Sequence, residues 1–291
     1  MNTLFRTITF VCLLIAACCL TAADAFAQTK ISTPADLYKN SGNYLEGTST
    51  DNGTTVFCAE GTGFTLVSST TDPENNLPYT SYTWQEMNED GTTYTTLPPG
   101  ADPNKTTITS ANATPGWHIY RVTAVTGNAG CEPDPTYFTV YVLPKLKVDP
   151  RANKTEAEGI SYCSETGAPA APNAFIFSGN ISFDGTPRMI QHTQLPPLEI
   201  DDFELQIAWT KVITGSGARS VVANTENYTI ADATLPAAAE SYTLELEVKY
   251  AIVPAKGACN PVLAVAKYNG STVDATVKVY KKAGRPTITI E

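Results

Sequence analysis

The stretch PGWHIYRVTAVTGNAGC, residues 115–131, decides the fold class of this chain. It opens on a Pro-Gly turn signal, continues as a run in which His118, Tyr120 and Val122 share one phase, and ends in a glycine-containing loop at Cys131. An apolar pattern with a period of two is typical of a β-strand with one buried face. We therefore predict that His118 is a core residue of a β-sheet and has no catalytic or metal-binding role.

The N-terminus has the three parts of a secretory signal peptide, which we assign to residues 1–27. Arg6 is followed by an uncharged apolar run, and Ala25-Phe26-Ala27 forms a small-x-small cleavage site. An alternative is a lipobox ending at Cys18, which would make the protein an outer-membrane lipoprotein with a lipid anchor at that cysteine. Both alternatives place the protein outside the cytoplasm, either secreted or at the cell surface. The mature chain has no apolar run near the roughly 20 residues of a transmembrane helix.

The composition is that of an acidic extracellular β-protein. The formal net charge is −10, charged residues make up only 16% of the chain, and no cluster of Lys and Arg is present. Such a chain repels phosphate backbones, so nucleic acid is not an expected partner. The abundant Thr, Ser, Asn, Gly and Pro favour half-exposed strands joined by turns.

The chain after the signal peptide repeats one plan. The phrase Cys58-Ala-Glu-Gly returns as Cys163-Ser-Glu-Thr-Gly, and each is followed by an alternating strand that carries Trp84 or Trp209. Residues 115–124 correspond to the alternating run at 242–252. Many short strands and a Cys–Trp–Cys order are typical of an immunoglobulin-like β-sandwich. We predict an all-β chain with two tandem immunoglobulin-like sandwich domains, residues 28–145 and 146–291.

Four cysteines remain after the signal peptide, and an even number in an exported protein indicates disulfides. Four cysteines allow three pairings. The two-domain layout favours one bond within each domain, Cys58–Cys131 and Cys163–Cys259; pairing across the domains is the alternative.

Each half resembles the Ig-like or PKD-like repeat modules found in tandem in secreted and surface proteins of Gram-negative bacteria. The matching motifs of the first half are Cys58, Tyr82-Thr-Trp84, Pro115-Gly116, Cys131 and Val140-Tyr-Val142. The second half departs more, because Ala237-Ala-Ala-Glu-Ser stands where a Pro-Gly turn is expected. The resemblance implies surface binding, adhesion or spacing, and it supplies no catalytic residues.

The sequence offers no recognisable set of catalytic or cofactor-binding residues, and we predict a non-enzymatic protein without a cofactor. The two histidines, His118 and His192, lie one in each half, and no nucleophile, phosphate-binding or dinucleotide motif is present. The acidic clusters around Asp72, around Asp90 and at 199–202 lack the regular spacing of a calcium loop. We predict solvated turns there, with calcium as the alternative.

The expected function is protein or surface interaction and adhesion through the Ig-like modules. One alternative is a structural subunit of a surface filament or secretion-linked assembly, in which the C-terminal strand Arg285–Glu291 is donated to the sheet edge of a neighbour. The plainer alternative leaves that strand in the second sandwich. A third hypothesis is carbohydrate binding, with Trp117, Tyr137 and Tyr141 as an exposed stacking surface for a cell-surface glycan; the alternative is that these aromatic residues belong to the core of the sandwich.

Overall fold

The computed structural model of the protein describes most of the chain after the predicted signal peptide. The signal peptide with Cys18, the cysteine Cys131 and the C-terminal stretch Arg285–Glu291 lie outside the described residues. The described ranges are 30–39, 56–61, 63–98, 100–109, 114–127, 134–193, 195–230, 240–254 and 258–281.

The first half contributes one short helix and seven of the described strands. They are α1 (Pro34–Lys39), β1 (Val56–Cys58), β2 (Phe64–Val67), β3 (Tyr79–Met87), β4 (Tyr94–Thr96), β5 (Lys105–Ile108), β6 (Gly116–Thr126) and β7 (Thr136–Leu143). Five of these strands form one sheet in the order β1-β7-β6-β3-β4, and β2 pairs with β5 in a second sheet. Only the β1–β7 pair is parallel in these two sheets.

The second half adds eleven described strands and a 3₁₀ helix at Ile200–Asp202. The strands are β8 (Leu146–Val148), β9 (Arg151–Ala152), β10 (Ile160–Cys163), β11 (Ile176–Ser178), β12 (Ile181–Phe183), β13 (Leu205–Ile213), β14 (Arg219–Ala223), β15 (Asn227–Thr229), β16 (Glu240–Tyr250), β17 (Val262–Val265) and β18 (Thr276–Tyr280). The main sheet has the order β10-β18-β16-β13-β14, with β17 also paired to β16. Smaller sheets join β15-β11-β9 and β12-β8.

The two main sheets share one strand order, including a parallel first pair in each. Trp84 pairs with Val122, and Trp209 pairs with Leu246. His118 lies four residues before Val122, as Tyr242 lies four before Leu246, so the two positions are equivalent. The predicted all-β fold with tandem immunoglobulin-like sandwiches is confirmed.

Strand β6 departs from the predicted one-sided pattern, because all five residues from Gly116 to Tyr120 are buried. Tyr120 and Val122 belong to the core between the two sheets of the first half, together with Trp84. Trp117 and Ile119, on the other face, belong to a larger core that is built mainly from the second half. The second half therefore covers the outer face of this sheet, and the described residues from Ile31 onward form one compact unit.

The predicted disulfide pairs, Cys58–Cys131 and Cys163–Cys259, are wrong. Cys58 is bonded to Cys259, with 5.4 Å between the Cα atoms and 201 residues of sequence between the two. The reason is the position of Cys58 at the end of the edge strand β1. Its neighbour there is Leu143, the last residue of β7, after which the chain enters the second half. Cys163 is a free, exposed thiol at the equivalent end of β10. The bond therefore joins the two halves.

Candidate functional site

His118 is the centre of a buried polar cluster at the junction of the two halves. Its Nε2 lies 2.7 Å from the carbonyl oxygen of Thr114 and therefore donates a hydrogen to it. Its Nδ1 lies 2.7 Å from Oε1 of Glu86, which stands on β3. The histidine is only 1% exposed. These contacts confirm that it is a core residue.

The second half supplies the cation of this cluster, Arg188. Its Nη1 contacts Oε1 of Glu86 and lies 2.8 Å from Nδ1 of His118. Its Nη2 donates to the carbonyl oxygen of Met87 at 2.6 Å, and its Nε lies 3.7 Å from Oε1 of Glu89. The Arg188 and Glu86 side chains are 11% and 18% exposed, so this ion pair is largely removed from water.

Glu86 links the stability of the junction to pH. Burial raises the pKa of its carboxyl, but His118 and Arg188 together outweigh burial and hold the pKa below the ordinary 4.5. The folded protein therefore binds this proton less readily than the unfolded chain. The stabilisation is complete above pH 4.5 and is lost as the pH falls through the lower, folded value.

We expect the Glu86→Gln variant to differ most from the wild type at neutral pH. The difference in free energy of unfolding should shrink as the pH falls below 4.5, because the wild-type carboxyl is then also neutral. Urea unfolding of both proteins at a series of pH values measures this difference. A gap that stays constant down to about pH 3 would contradict the assignment of the linkage to Glu86.

Two glycines of the first half let a segment of the second half approach at backbone distance. Gly116 has φ +114°, and a Cβ there would lie 2.3 Å from the backbone N and O of Arg188. Gly91 has φ +67°, and a Cβ there would lie 1.7 Å from the carbonyl oxygen of Gln191. Trp117 N–H donates to the Arg188 carbonyl at 3.1 Å, and Gln191 N–H donates to that of Glu89 at 2.8 Å. The junction is therefore a main-chain contact as well as a side-chain contact.

The three aromatic residues predicted as a glycan-stacking surface do not lie together on the surface. Trp117 and Tyr141 are 1% and 0% exposed, and their rings meet at 4.8 Å in the junction core. Trp117 Nε1 donates to the carbonyl oxygen of Pro196, a residue of the second half. Tyr137 alone of the three reaches the surface, at 37% exposure. The period of two separated the faces of β6 correctly, but it could not show that both are covered.

The first half has an apolar groove with a volume of about 570 Å³. This is within the range of about 300–1,000 Å³ typical of ligand sites. Its walls come from β2 and the two residues after it, from Phe57 of β1, and from β3, β6 and β7. The aromatic residues of the lining are Phe57, Phe64, Trp84, Tyr120, Tyr137 and Phe138.

Tyr120, which lines this groove, has a buried hydroxyl without a partner among the described residues. The side chain is fully buried, and its hydroxyl makes no hydrogen bond with any described residue. Burial, assisted by the charge of Glu86, raises the pKa of the phenol, so the hydroxyl stays protonated. A buried hydroxyl that lacks a hydrogen bond is costly.

The acidic clusters are turns in which the carboxylates accept hydrogen bonds from their own loops. Asp72 accepts from Glu74 N–H at 2.9 Å, and Asp90 accepts from the N–H groups of Thr92 and Thr93, both at 2.8 Å. The bonds from Thr93 and Thr92 lower the pKa of Asp90 to about 2. Within the described ranges no group of three acidic, His or Cys side chains could hold a metal ion.

No family model and no curated protein matches the sequence. Among solved structures, a 1.5-MDa bacterial ice-binding adhesin matches at 12% identity and a TM-score of 0.33, over 79% of this chain and 62% of that one. The calcium-stabilised adhesin with which an Antarctic bacterium binds ice matches at 15% identity and 0.32, over 80% and 48%. The FN1–FN3 domains of chicken CNTN1 match at 10% identity and 0.28, over 75% and 66%. The chain thus spans less than two thirds of the length of each.

Sequence reasoning missed Glu86, Arg188 and the groove. One signal was available for Glu86, which lies in the buried phase of β3, two residues after Trp84. Arg188 lies 70 residues after His118, and no local pattern connects the two.

No helix in the described part of the chain has the length and apolar character needed to cross a membrane.

Proposed function

We propose that the protein is exported and acts at the cell surface as a non-enzymatic interaction protein, with two Ig-like modules at residues 28–145 and 146–291. The signal peptide pattern of residues 1–27 supports export. Lipid attachment at Cys18 would retain the protein on the membrane, and cleavage after Ala27 would release it.

The apolar groove of the first half is the observation that carries this proposal. Its lining consists of aromatic and aliphatic side chains with Ser, Thr and Arg121. Such a lining suits binding through apolar burial and a few polar contacts. The disulfide and the Arg188 cluster hold the two halves as one body, so the groove is carried by a rigid support.

A second candidate function is that of a structural subunit, which is favoured by the edge of β2 beside the groove, since no described strand other than β5 pairs with β2. Carbohydrate binding has less support, because only Tyr137 of the predicted stacking residues is exposed. Protein is therefore the partner class that the geometry of the groove fits best.

The exposed thiol of Cys163 provides a test of surface location. We expect a maleimide that cannot cross membranes to label the Cys131→Ser protein at Cys163 on intact cells of the source organism, and the Cys131→Ser, Cys163→Ser protein to stay unlabelled. Purified protein added to such cells should bind saturably. Labelling that occurs only after lysis, or binding that never saturates, would contradict the proposal.

A further inference from the structure

We propose that the groove receives residues 285–291 of a second copy of this chain, as an added strand on the free edge of β2. This inference rests on the proposed interaction function and names its partner. Among the described strands β2 pairs only with β5. An edge strand of this kind offers unpaired main-chain groups to an incoming strand.

The groove runs along that free edge. Six consecutive residues of the β2 side, from Phe64 to Ser69, line it, whereas no residue of β5 does. The opposite wall comes from β6 and from the first residues of β7. A channel along consecutive strand residues suits an extended peptide better than a compact molecule, because side chains of a strand project at regular intervals.

The hydrogen-bond pattern tells which groups of β2 face the groove. Ser68 N–H donates to the carbonyl oxygen of Asn104 at 2.9 Å. Hydrogen-bonded and non-hydrogen-bonded pairs alternate along an antiparallel ladder, so the preceding pair, Val67 with Lys105, has no hydrogen bonds between its two strands. Lys105 directs its own N–H and C=O to Asp102 and Gly100 instead. By the same alternation the main-chain groups of Thr65 and Val67 point away from β5, toward the incoming strand.

The interior of the groove suits the apolar face of such a strand. Phe64 and Leu66 of β2 point inward, and Val122 of β6 and Phe138 of β7 stand in the opposite wall.

Residues 285–291 have the pattern that this site requires. In Arg285-Pro-Thr-Ile-Thr-Ile-Glu291 the apolar Ile288 and Ile290 alternate with threonines. Such β-branched residues with a period of two are a strand signal. Residues 40–55, which precede β1, have no such pair of large apolar residues and contain Gly42, Gly47 and Gly53.

The repeat of the two halves also gives residues 285–291 the position in the sequence at which a further module would follow. Cys163 pairs with Tyr280 as Cys58 pairs with Leu143. In the first half the chain passes from Leu143 directly into the next half. In the sequence, residues 282–291 follow β18 as the second half follows β7, and a second copy placed after them would extend the tandem order.

The test uses a labelled peptide of residues 284–291 and a protein shortened to end at Gly284. We expect saturable binding by fluorescence anisotropy. The peptide with Ile288→Asp and Ile290→Asp should not bind, whereas the matched peptide with Thr287→Ser and Thr289→Ser should.

The chain offers a matched pair of protein variants. Thr65 and Thr107 are cross-strand partners, both exposed, and the N–H of each points away from the other strand. Thr65→Pro removes a donor on the groove side, and Thr107→Pro removes one on the far edge. We expect only Thr65→Pro to abolish peptide binding. Equal effects of the two variants, with both folded by circular dichroism, would overturn the assignment to β2.

Assembly of the intact protein decides between a second copy and other occupants. We expect oligomers that increase with concentration in sedimentation, and a monomer once residues 285–291 are removed. A full-length protein that stays monomeric at every concentration would overturn the proposal. A folded, shortened protein that does not bind the peptide but does bind a small apolar dye would overturn it as well. Either result would leave the surface labelling and cell binding of the proposed function untouched.

Discussion

Replacing both Cys58 and Cys259 with serine is expected to lower the free energy of unfolding by about 3–5 kcal/mol. The bond closes a loop of 201 residues, and long loops give the largest loss of chain entropy in the unfolded state. Urea unfolding in the absence of reductant measures the loss, and adding reductant to the wild type should reproduce it.

Cys163→Ser is the matched control, because this thiol is exposed and unbonded. We expect its free energy of unfolding to stay within about 0.5 kcal/mol of the wild type. A non-reduced digest should yield one peptide that joins Cys58 to Cys259. A loss of stability in Cys163→Ser equal to that of the double variant, or a digest in which Cys163 is cross-linked to Cys259, would contradict this bond.

Arg188→Ala is expected to lower the free energy of unfolding by about 3 kcal/mol, because it leaves the carboxylate of Glu86 largely buried without its guanidinium. The carbonyl of Met87 also loses a donor. His118 remains beside Glu86, so the loss should stop short of complete unfolding. Arg188→Met, which keeps the apolar stem, should recover the packing but not the charge.

Arg219→Ala supplies the comparison for a solvated ion pair. Arg219 contacts Glu245 but is 51% exposed, and solvent-exposed ion pairs of this kind contribute little to stability. Chemical denaturation of both variants at neutral pH tests the contrast. If Arg188→Ala costs no more than Arg219→Ala, the cluster does not hold the junction.

The sandwich class of each half was predictable because it depends on local periods and on one tryptophan for each half. Trp84 and Trp209 both lie in the fourth strand of their main sheets, counted from β1 and from β10, and the equivalence of His118 and Tyr242 follows from counting residues. These features need no knowledge of what the other half does.

The features that failed all depend on contacts between the halves. Trp117 has the phase of an outward residue, and it is buried because a segment 70 or more residues later covers it. The disulfide was misassigned for the same reason, since Cys58 and Cys259 meet only through the packing of one half on the other. The groove could not be predicted from the sequence, because strand alternation shows which side chains point inward but not whether other side chains pack against them.

The covalent link between Cys58 and Cys259 also limits how far the molecule can be stretched. When the chain is pulled from residues outside the loop, force passes through the bond and bypasses the 201 residues between its cysteines. Those residues represent about 70 nm of extended chain that tension cannot release while the bond is intact. The segment from Cys58 to Cys259 therefore adds no length under load until the bond is reduced.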